Sequence, residues 1–352
     1  MGGSEFTIFK NLRDMVPAPA GTAVATTMYA SEDGILHTFG TTVPTDGTAG
    51  YAESCIFHKT GGSGSSLLYV NRGSDTSSLF IALGSQPFGT AAGRGPSPAI
   101  WDDCPVDEFK NNPEAGMIFF DDLLDGIDVA TNQSAAAAAA LGTTGKFGAF
   151  TGTTANTIAS DATNSQGVAI VSTDTDNQSA MIVWPKGATI AGKVKFTTGK
   201  KLWMECRIKV STIATAINQI FVGFAEEALN SEGLLLLINE SSLADKDYVG
   251  FLKEYTDGDG LNTEFNTASG TNVSNDDEAT LVAGAWTKLG IYCDGSTVTF
   301  YVDGVALATT TTTATADFPD GEEMAFYLQN MCGAAGTVGT VSLDWLRIAQ
   351  EY

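Results

Sequence analysis

The 352-residue sequence predicts an all-β protein, the larger part of it a two-sheet sandwich. Three observations carry that reading. The stretch WTKLGIYCDGSTVTFYVDGV, residues 286–305, places two β-branched and aromatic runs around Asp294-Gly295 and ends on a second pair, Asp303-Gly304. Asp-Gly supplies the positive φ values of type I′ hairpin turns, so the stretch reads as an antiparallel meander. The run KLWMECRIKV, residues 201–210, alternates strictly, with Leu202, Met204, Cys206, Ile208 and Val210 on one face. Trp203, Glu205, Arg207 and Lys209 fall on the other, which predicts one core face and one wet face. The third is composition: 17% charged residues, 43% hydrophobic residues and 39 glycines suit many short strands and turns.

Taken in order, residues 1–30 form an extended arm. They carry a short amphipathic piece, Phe6, Ile8, Phe9 and Leu12, followed by Pro17 and Pro19, which forbid a regular element. A disordered tail and an arm that orders on a partner fit equally well. Residues 31–116 form a small β-domain: Tyr51 to Ile56 alternate with period two, and Gly61 to Ser66 connect to a strand at 67–71. Pro87, Pro96, Pro98, Pro105 and Pro113 make residues 84–116 a loop or linker, so a boundary is expected near 116. Residues 117–352 hold the sandwich. Its strands are expected at 118–120, 167–172, 180–184, 201–210, 219–225, 234–238, 248–255, 291–293, 297–302, 323–329 and 338–348. Ala135 to Ala140 favour helix, but so short a helix is marginal without packing.

Charge excludes a function class. With 41 acidic against 18 basic residues, net charge −23, the chain lacks the clustered cations that nucleic-acid binding needs. The acidity favours solubility and self-repulsion, and leaves a docking surface for a basic partner open. Five cysteines, Cys55, Cys104, Cys206, Cys293 and Cys332, are odd in number and widely spaced, which predicts buried free thiols. The longest apolar run, Leu234 to Ile238, is too short to cross a bilayer, and the start has no signal-peptide core, so synthesis in a host cytoplasm without membrane insertion is expected.

The segments KLWMECRIKV, QIFVGFAE, YVGFLKE, WTKLGIYCDGSTVTFYVDGV and VSLDWLRIAQEY resemble the concanavalin A-like lectin/glucanase sandwich, a jelly roll of two curved antiparallel sheets. FFDDLLDG ahead of KLWMECRIKV is similar to tailed-bacteriophage virion proteins carrying that sandwich. That resemblance implies that the MIFFDDLL segment forms an opening strand beside the closing strand VSLDWLRIA. It also implies a capsid decoration or cement protein on the capsid exterior, bound to the major capsid protein and assembled as a homotrimer.

The resemblance extends to glycoside hydrolases, whose chemistry requires particular residues. Glucanases of this fold carry two glutamates flanking an aspartate, E-x-D-x-x-E, on one strand. Here Glu205 stands alone, followed by Arg207, which is expected to pair with it and depress its pKa. With two histidines, His37 and His58, and no G-x-S-x-G, no nucleophilic triad is legible, and the expectation is that the chain is not an enzyme and needs no cofactor. Calcium is the secondary candidate, through Asp257, Asp259, Asn262 and Glu264 of TDGDGLNTE. The alternative function is a glycan-binding fibre or adhesin domain for host attachment, with Trp203, Tyr255 and Trp184 as sugar platforms. A glucanase-like depolymerase using Glu205 is the second alternative.

Overall fold

This computed structural model describes residues 25–31, 34–60, 68–82, 94–123, 146–151, 157–160, 168–171, 179–185, 193–215, 217–226, 243–332 and 339–352. The chain divides into two compact units, Met1–Phe88 and Gly89–Tyr352. The expected boundary near residue 116 is therefore corrected to 88/89. Phe6, Ile8, Phe9 and Leu12, the alanine run and the strand at 234–238 lie outside the described residues.

The first unit is one sheet whose spatial order follows the sequence: β1 (Ala25–Ser31), β2 (Gly34–Gly40), β3 (Tyr51–Lys59), β4 (Leu68–Asn71) and β5 (Phe80–Ala82). Among the described strands of this sheet, only β2 and β3 run parallel. Ile35, Tyr51, Cys55, Phe57 and Phe80 form its core, with the Tyr51 and Phe80 rings edge to face at 5.1 Å. The period-two pattern of β3 breaks at Ser54, whose φ is +69°, and Glu53 and Ser54 are both exposed.

The second unit opens with α1 (Pro98–Trp101) and α2 (Val106–Asn111), then β6 (Gly116–Asp121), β7 (Gly148–Thr151), β8 (Thr157–Ser160), β9 (Val168–Val171), β10 (Ser179–Trp184) and β11 (Val194–Lys195). There follow β12 (Leu202–Val210), β13 (Asn218–Glu226), β14 (Tyr248–Lys253), β15 (Gly260–Asn266), β16 (Val273–Thr280) and β17 (Trp286–Cys293). The last are β18 (Thr297–Val302), β19 (Val305–Thr312), β20 (Glu323–Cys332) and β21 (Thr340–Glu351). Sheet one has the order β19-β18-β17-β12-β21-β9-β8, with β6 also on β21. Sheet two has the order β16-β15-β14-β13-β20-β10-β7, with β11 on β20. The two layers make a jelly-roll β-sandwich. β6 lies antiparallel to β21, Phe120 opposite Arg347, as the resemblance implied.

The core lies between the layers. Met204, Cys206 and Ile208 of β12 and Leu289 and Ile291 of β17 face Val222 and Phe224 of β13 and Phe326 and Leu328 of β20. Phe251 of sheet two meets Phe300 of sheet one edge to face at 5.3 Å. Each such side chain, fully buried, contributes about 1.5–3 kcal/mol. All five cysteines are free and four are buried, as expected; burial alone pushes the Cys55 thiol up to about 12.

Two sequence expectations change locally. Asp303 and Gly304 both have positive φ, +51° and +76°, as a type I′ turn requires. At Asp294-Gly295 only Gly295 does, at +102°. There Asp294 keeps ordinary backbone and its Oδ1 accepts the N–H groups of Ser296 and Thr297 at 2.9 and 2.7 Å, an Asx-type turn. The β17-β18-β19 meander forms one edge of sheet one.

The second change concerns residues 94–112, expected as a linker. They form a strap across the outer face of sheet one. Arg94 pairs with Asp344 through Nη2 and Nε at 2.5 and 2.9 Å, and its carbonyl accepts the Trp345 indole at 2.8 Å. The strap's own Trp101 and Phe109 are buried against the sheet. The β12 face expected to be wet is thus covered at Trp203 and Glu205.

Candidate functional site: a carboxyl, phenol and amide network

The residues singled out in the sequence do not converge. Trp203 is 0% exposed. Its indole N–H donates to Asp103 Oδ1 at 2.8 Å, and its ring sits 6.1 Å from Phe109 and 6.0 Å from Tyr292. Trp184 belongs to the core and stacks on Phe119 at 4.4 Å. Neither offers a ring face to a sugar, because the strap covers one and the sandwich encloses the other. Tyr255 is half-buried in the turn after β14. Trp286, expected in the sandwich, lies under the Arg207 and Lys209 cations at 4.7 and 4.8 Å.

Glu205 is closed off as well. Its Oε2 accepts the Ser97 backbone N–H at 2.8 Å and the Trp101 indole at 2.9 Å. Arg207 does not pair with it: a register shift in β21 brings in Asp344, which Arg207 contacts at 2.6 Å. Burial therefore raises the Glu205 pKa, against the opposing Ser97 and Trp101 bonds and the Lys288 charge. The expected depression is corrected. Asp103 shows the opposite balance: burial pushes it up, but hydrogen bonds from Lys201, Tyr292 and Trp203 outweigh burial and hold it below its ordinary value.

The calcium expectation also fails the geometry. Among the described residues no group of three or more His, Cys, Asp or Glu is placed to hold a metal ion. Asp277 hydrogen-bonds Asp257, and that bond together with the Asp257 charge raises the Asp277 pKa. Asn262 and Glu264 belong to a different arrangement.

That arrangement is the candidate site. In β15 the residues Asn262, Glu264 and Asn266 alternate with Leu261, Thr263 and Phe265, so Leu261 and Phe265 enter the core and the amides and carboxyl face outward. The exposed side chains Asn272, Ser274 and Asp276, at the start of β16 and on it, stand beside them. Tyr248 on β14 donates its hydroxyl to Asn272 Oδ1 at 2.9 Å, and Asn272 hydrogen-bonds the Glu264 carboxyl. Ser274 Oγ lies 2.6 Å from Asp276 Oδ1 and 3.2 Å from Glu264 Oε1. Asn262 Nδ2 donates to Glu254 Oε1 at 2.9 Å and to Asp276 Oδ1 at 3.3 Å. A continuous polar chain thus runs from Tyr248 to Glu254, surfacing at Asn272, Ser274 and Asp276.

Proton bookkeeping fixes its character. Ser274 has one hydroxyl proton, and the shorter contact assigns it to Asp276. The longer contact, to Glu264 Oε1, is the weaker branch of the same donor. Burial pushes the Glu264 pKa up to about 8, the Glu254 and Asp276 charges add, and the Ser274 and Asn272 bonds only partly oppose. Glu264 is 1% exposed, and its Oε2 and the Asn266 Oδ1 find no hydrogen-bond partner among the described residues. Buried, unpartnered polar atoms of this kind mark a place that needs a further explanation. The exposed Asn272, Ser274 and Asp276 can donate to and accept from a hydroxyl-rich ligand, with the buried Glu264, Tyr248 and Asn262 behind them. The polar alternation in LNTEFNT was the available sequence signal; Tyr248, Asn272, Ser274 and Asp276 had none, because they join Glu264 only through strand pairing.

The fold is a two-layer jelly-roll β-sandwich that carries this polar face on sheet two. Residues 227–348 match the model described as the concanavalin A-like lectin/glucanases superfamily. The comparison with curated protein sequences finds no match. Among solved structures the chain is similar to a protein of unknown function from Shewanella oneidensis MR-1, at 15% identity and TM-score 0.44 over 70% of this chain and 94% of that one. It is also similar to an endo-β-1,4-glucuronan lyase from the fungus Trichoderma reesei, at 10% identity and TM-score 0.41 over 65% and 94% of the chains. A third is the catalytic domain of an endo-1,3-β-glucanase from Thermotoga petrophila RKU-1, at 11% identity and TM-score 0.38 over 55% and 82%. The expectation that the chain is not an enzyme is overturned here. The E-x-D-x-x-E pattern tests for one reaction only, whereas similar sandwiches include lyases as well as glucanases.

Proposed function

We propose that the sandwich binds carbohydrate on the outer face of sheet two, at the network joining Tyr248, Asn272, Glu264, Ser274, Asp276 and Asn262. The observation that carries this reading is the exposed trio Asn272, Ser274 and Asp276, backed by the buried Glu264 carboxyl, whose pKa burial pushes up to about 8 and one of whose oxygens is unpartnered. The exposed groups donate to and accept from sugar hydroxyls. The test is calorimetry with neutral and uronate oligosaccharides, with assays for new reducing ends and unsaturated products run alongside. Glu264→Gln keeps a donor and an acceptor, Glu264→Ala keeps neither, and Asn272→Ala breaks the link to Tyr248. Binding that survives Glu264→Ala and Asn272→Ala unchanged would sink the assignment.

A second reading, virion decoration, is supported by the β6–β21 pairing, the arrangement implied by the resemblance to virion proteins. On that reading the first unit docks on a major capsid protein, the protein is a homotrimer on the capsid exterior, and the sandwich presents its glycan face outward. Deleting residues 1–24, which leaves β1 intact, then abolishes attachment to capsids; undiminished attachment refutes the arm's role.

A further inference from the structure

The edge of sheet one formed by the last meander strand, β19, is long and carries no charged residue or proline. Among the described strands β19 pairs with β18 alone. Its alternate side chains Ala306, Ala308, Thr310 and Thr312 are exposed, and Val305 is 66% exposed. From Val305 to Ala316 the sequence VALATTTTTATA contains no charge and no proline. Natural sheet edges are ordinarily blunted by lysine, proline, bulges or brevity, since their unpaired N–H and C=O groups template strand addition. The end strands β7 and β8 are four residues each. β16, the end of sheet two, is broken by a register shift at Leu261/Thr263, holds Asp277 at φ +55°, and carries Asp276, Asp277 and Glu278. β19 has eight residues and lacks the charged or proline blunting; its pairing with β18 also shifts register, between Thr299 and Tyr301, and the Thr312 N–H is taken by the Thr315 hydroxyl, so the open stretch lies ahead of Thr312.

The two strands lie side by side in adjacent layers. The Thr309 hydroxyl donates to the Glu278 carboxylate, and Leu307 packs on the common core. An open, uncharged backbone edge is thus bordered by an acidic ridge whose Asp276 and Asp277 are exposed. A second copy of the chain, itself at net charge −23, would bring a like ridge against this one. A segment with cationic side chains meets charge complementarity instead.

We infer that β19 is a docking edge for an extended, basic polypeptide segment of a partner protein, which adds as a strand to sheet one and sets its cations against Asp276, Asp277 and Glu278. Main-chain pairing gives the affinity and the acidic ridge selects the partner. The proposal shares Asp276 with the glycan reading but requires strand pairing on β19, which the glycan reading does not.

The probe is an eight-residue capped peptide alternating lysine and valine, titrated by calorimetry into the full chain. Two analogues accompany it: one with alternate backbone amides N-methylated, which keeps the charge but cannot pair, and one with glutamate in place of lysine. The expected result is saturable binding that weakens about tenfold or more on N-methylation, weakens with glutamate, and falls as salt is raised. Thr310→Lys, at an exposed position, is expected to weaken binding with the circular dichroism spectrum unchanged. Equal affinity for the N-methylated peptide would mean diffuse attraction to an acidic surface and overturn the proposal. Equal affinity for the glutamate peptide overturns the choice of partner. A dimer in sedimentation that Thr310→Lys abolishes would make the occupant a second copy.

Discussion

Replacing Trp101 by phenylalanine isolates the attachment of the strap to sheet one. Trp101 is 0% exposed, meets Phe120 edge to face at 5.3 Å, and donates its indole N–H to Glu205 Oε2 at 2.9 Å. Phenylalanine keeps most of the ring and removes the donor. A hydrogen bond to a charged group is worth about 1.5–3 kcal/mol, and the lost part of the indole adds roughly 1 kcal/mol of packing. The expected destabilisation is therefore about 3 kcal/mol, read from urea unfolding followed by circular dichroism, with the m-value unchanged. A pH arm separates the bond from the packing. Glu205 has a raised folded pKa, so its contribution to stability is present at low pH and lost as pH rises through that value. Removing the indole donor raises the folded pKa further, so the cost of Trp101→Phe grows between pH 5 and pH 8. A cost below about 1 kcal/mol, or one equal at both pH values, would refute the claim that the indole holds the Glu205 carboxylate.

Three further outcomes follow from the same geometry. Glu264 has a folded pKa of about 8, far above an ordinary carboxyl, so stability falls as pH rises from the usual carboxylate range toward 8; Glu264→Gln flattens that slope in denaturant titrations at pH 6 and pH 8. Trp203→Ala costs about 3–5 kcal/mol of stability and leaves the affinity of the remaining folded protein for oligosaccharides unchanged, which calorimetry below the unfolding temperature reads directly. Gly304→Ala places a Cβ at φ +76° and costs about 1 kcal/mol by thermal unfolding, with the fold retained.

Much of the fold was legible because strand periodicity and turn chemistry are local. The alternation in β12, the Asp303-Gly304 turn and the free thiols each depend on neighbours in sequence, whereas β15 was read as a calcium loop. The glycan platforms were misread for the opposite reason. A tryptophan at Trp203 on a strand's polar face reads as exposed until a segment about a hundred residues earlier, carrying Asp103 and Phe109, is seen to lie on it. Arg207 was assigned to Glu205 by spacing on one strand, yet Asp344 from β21 stands closer across the ladder.

The sequence by itself determined the fold class, the strand-rich order of the second unit, the excess of acid and the absence of cation clusters, all set by residue type and short-range spacing. Tertiary structure alone decided which face of each sheet is covered, which carboxyl carries a proton and which edge stays open. Those properties come from burial and from partners brought together across strands and layers. A carboxyl's pKa and a strand's pairing are set by what surrounds them in space, and linear spacing does not encode that.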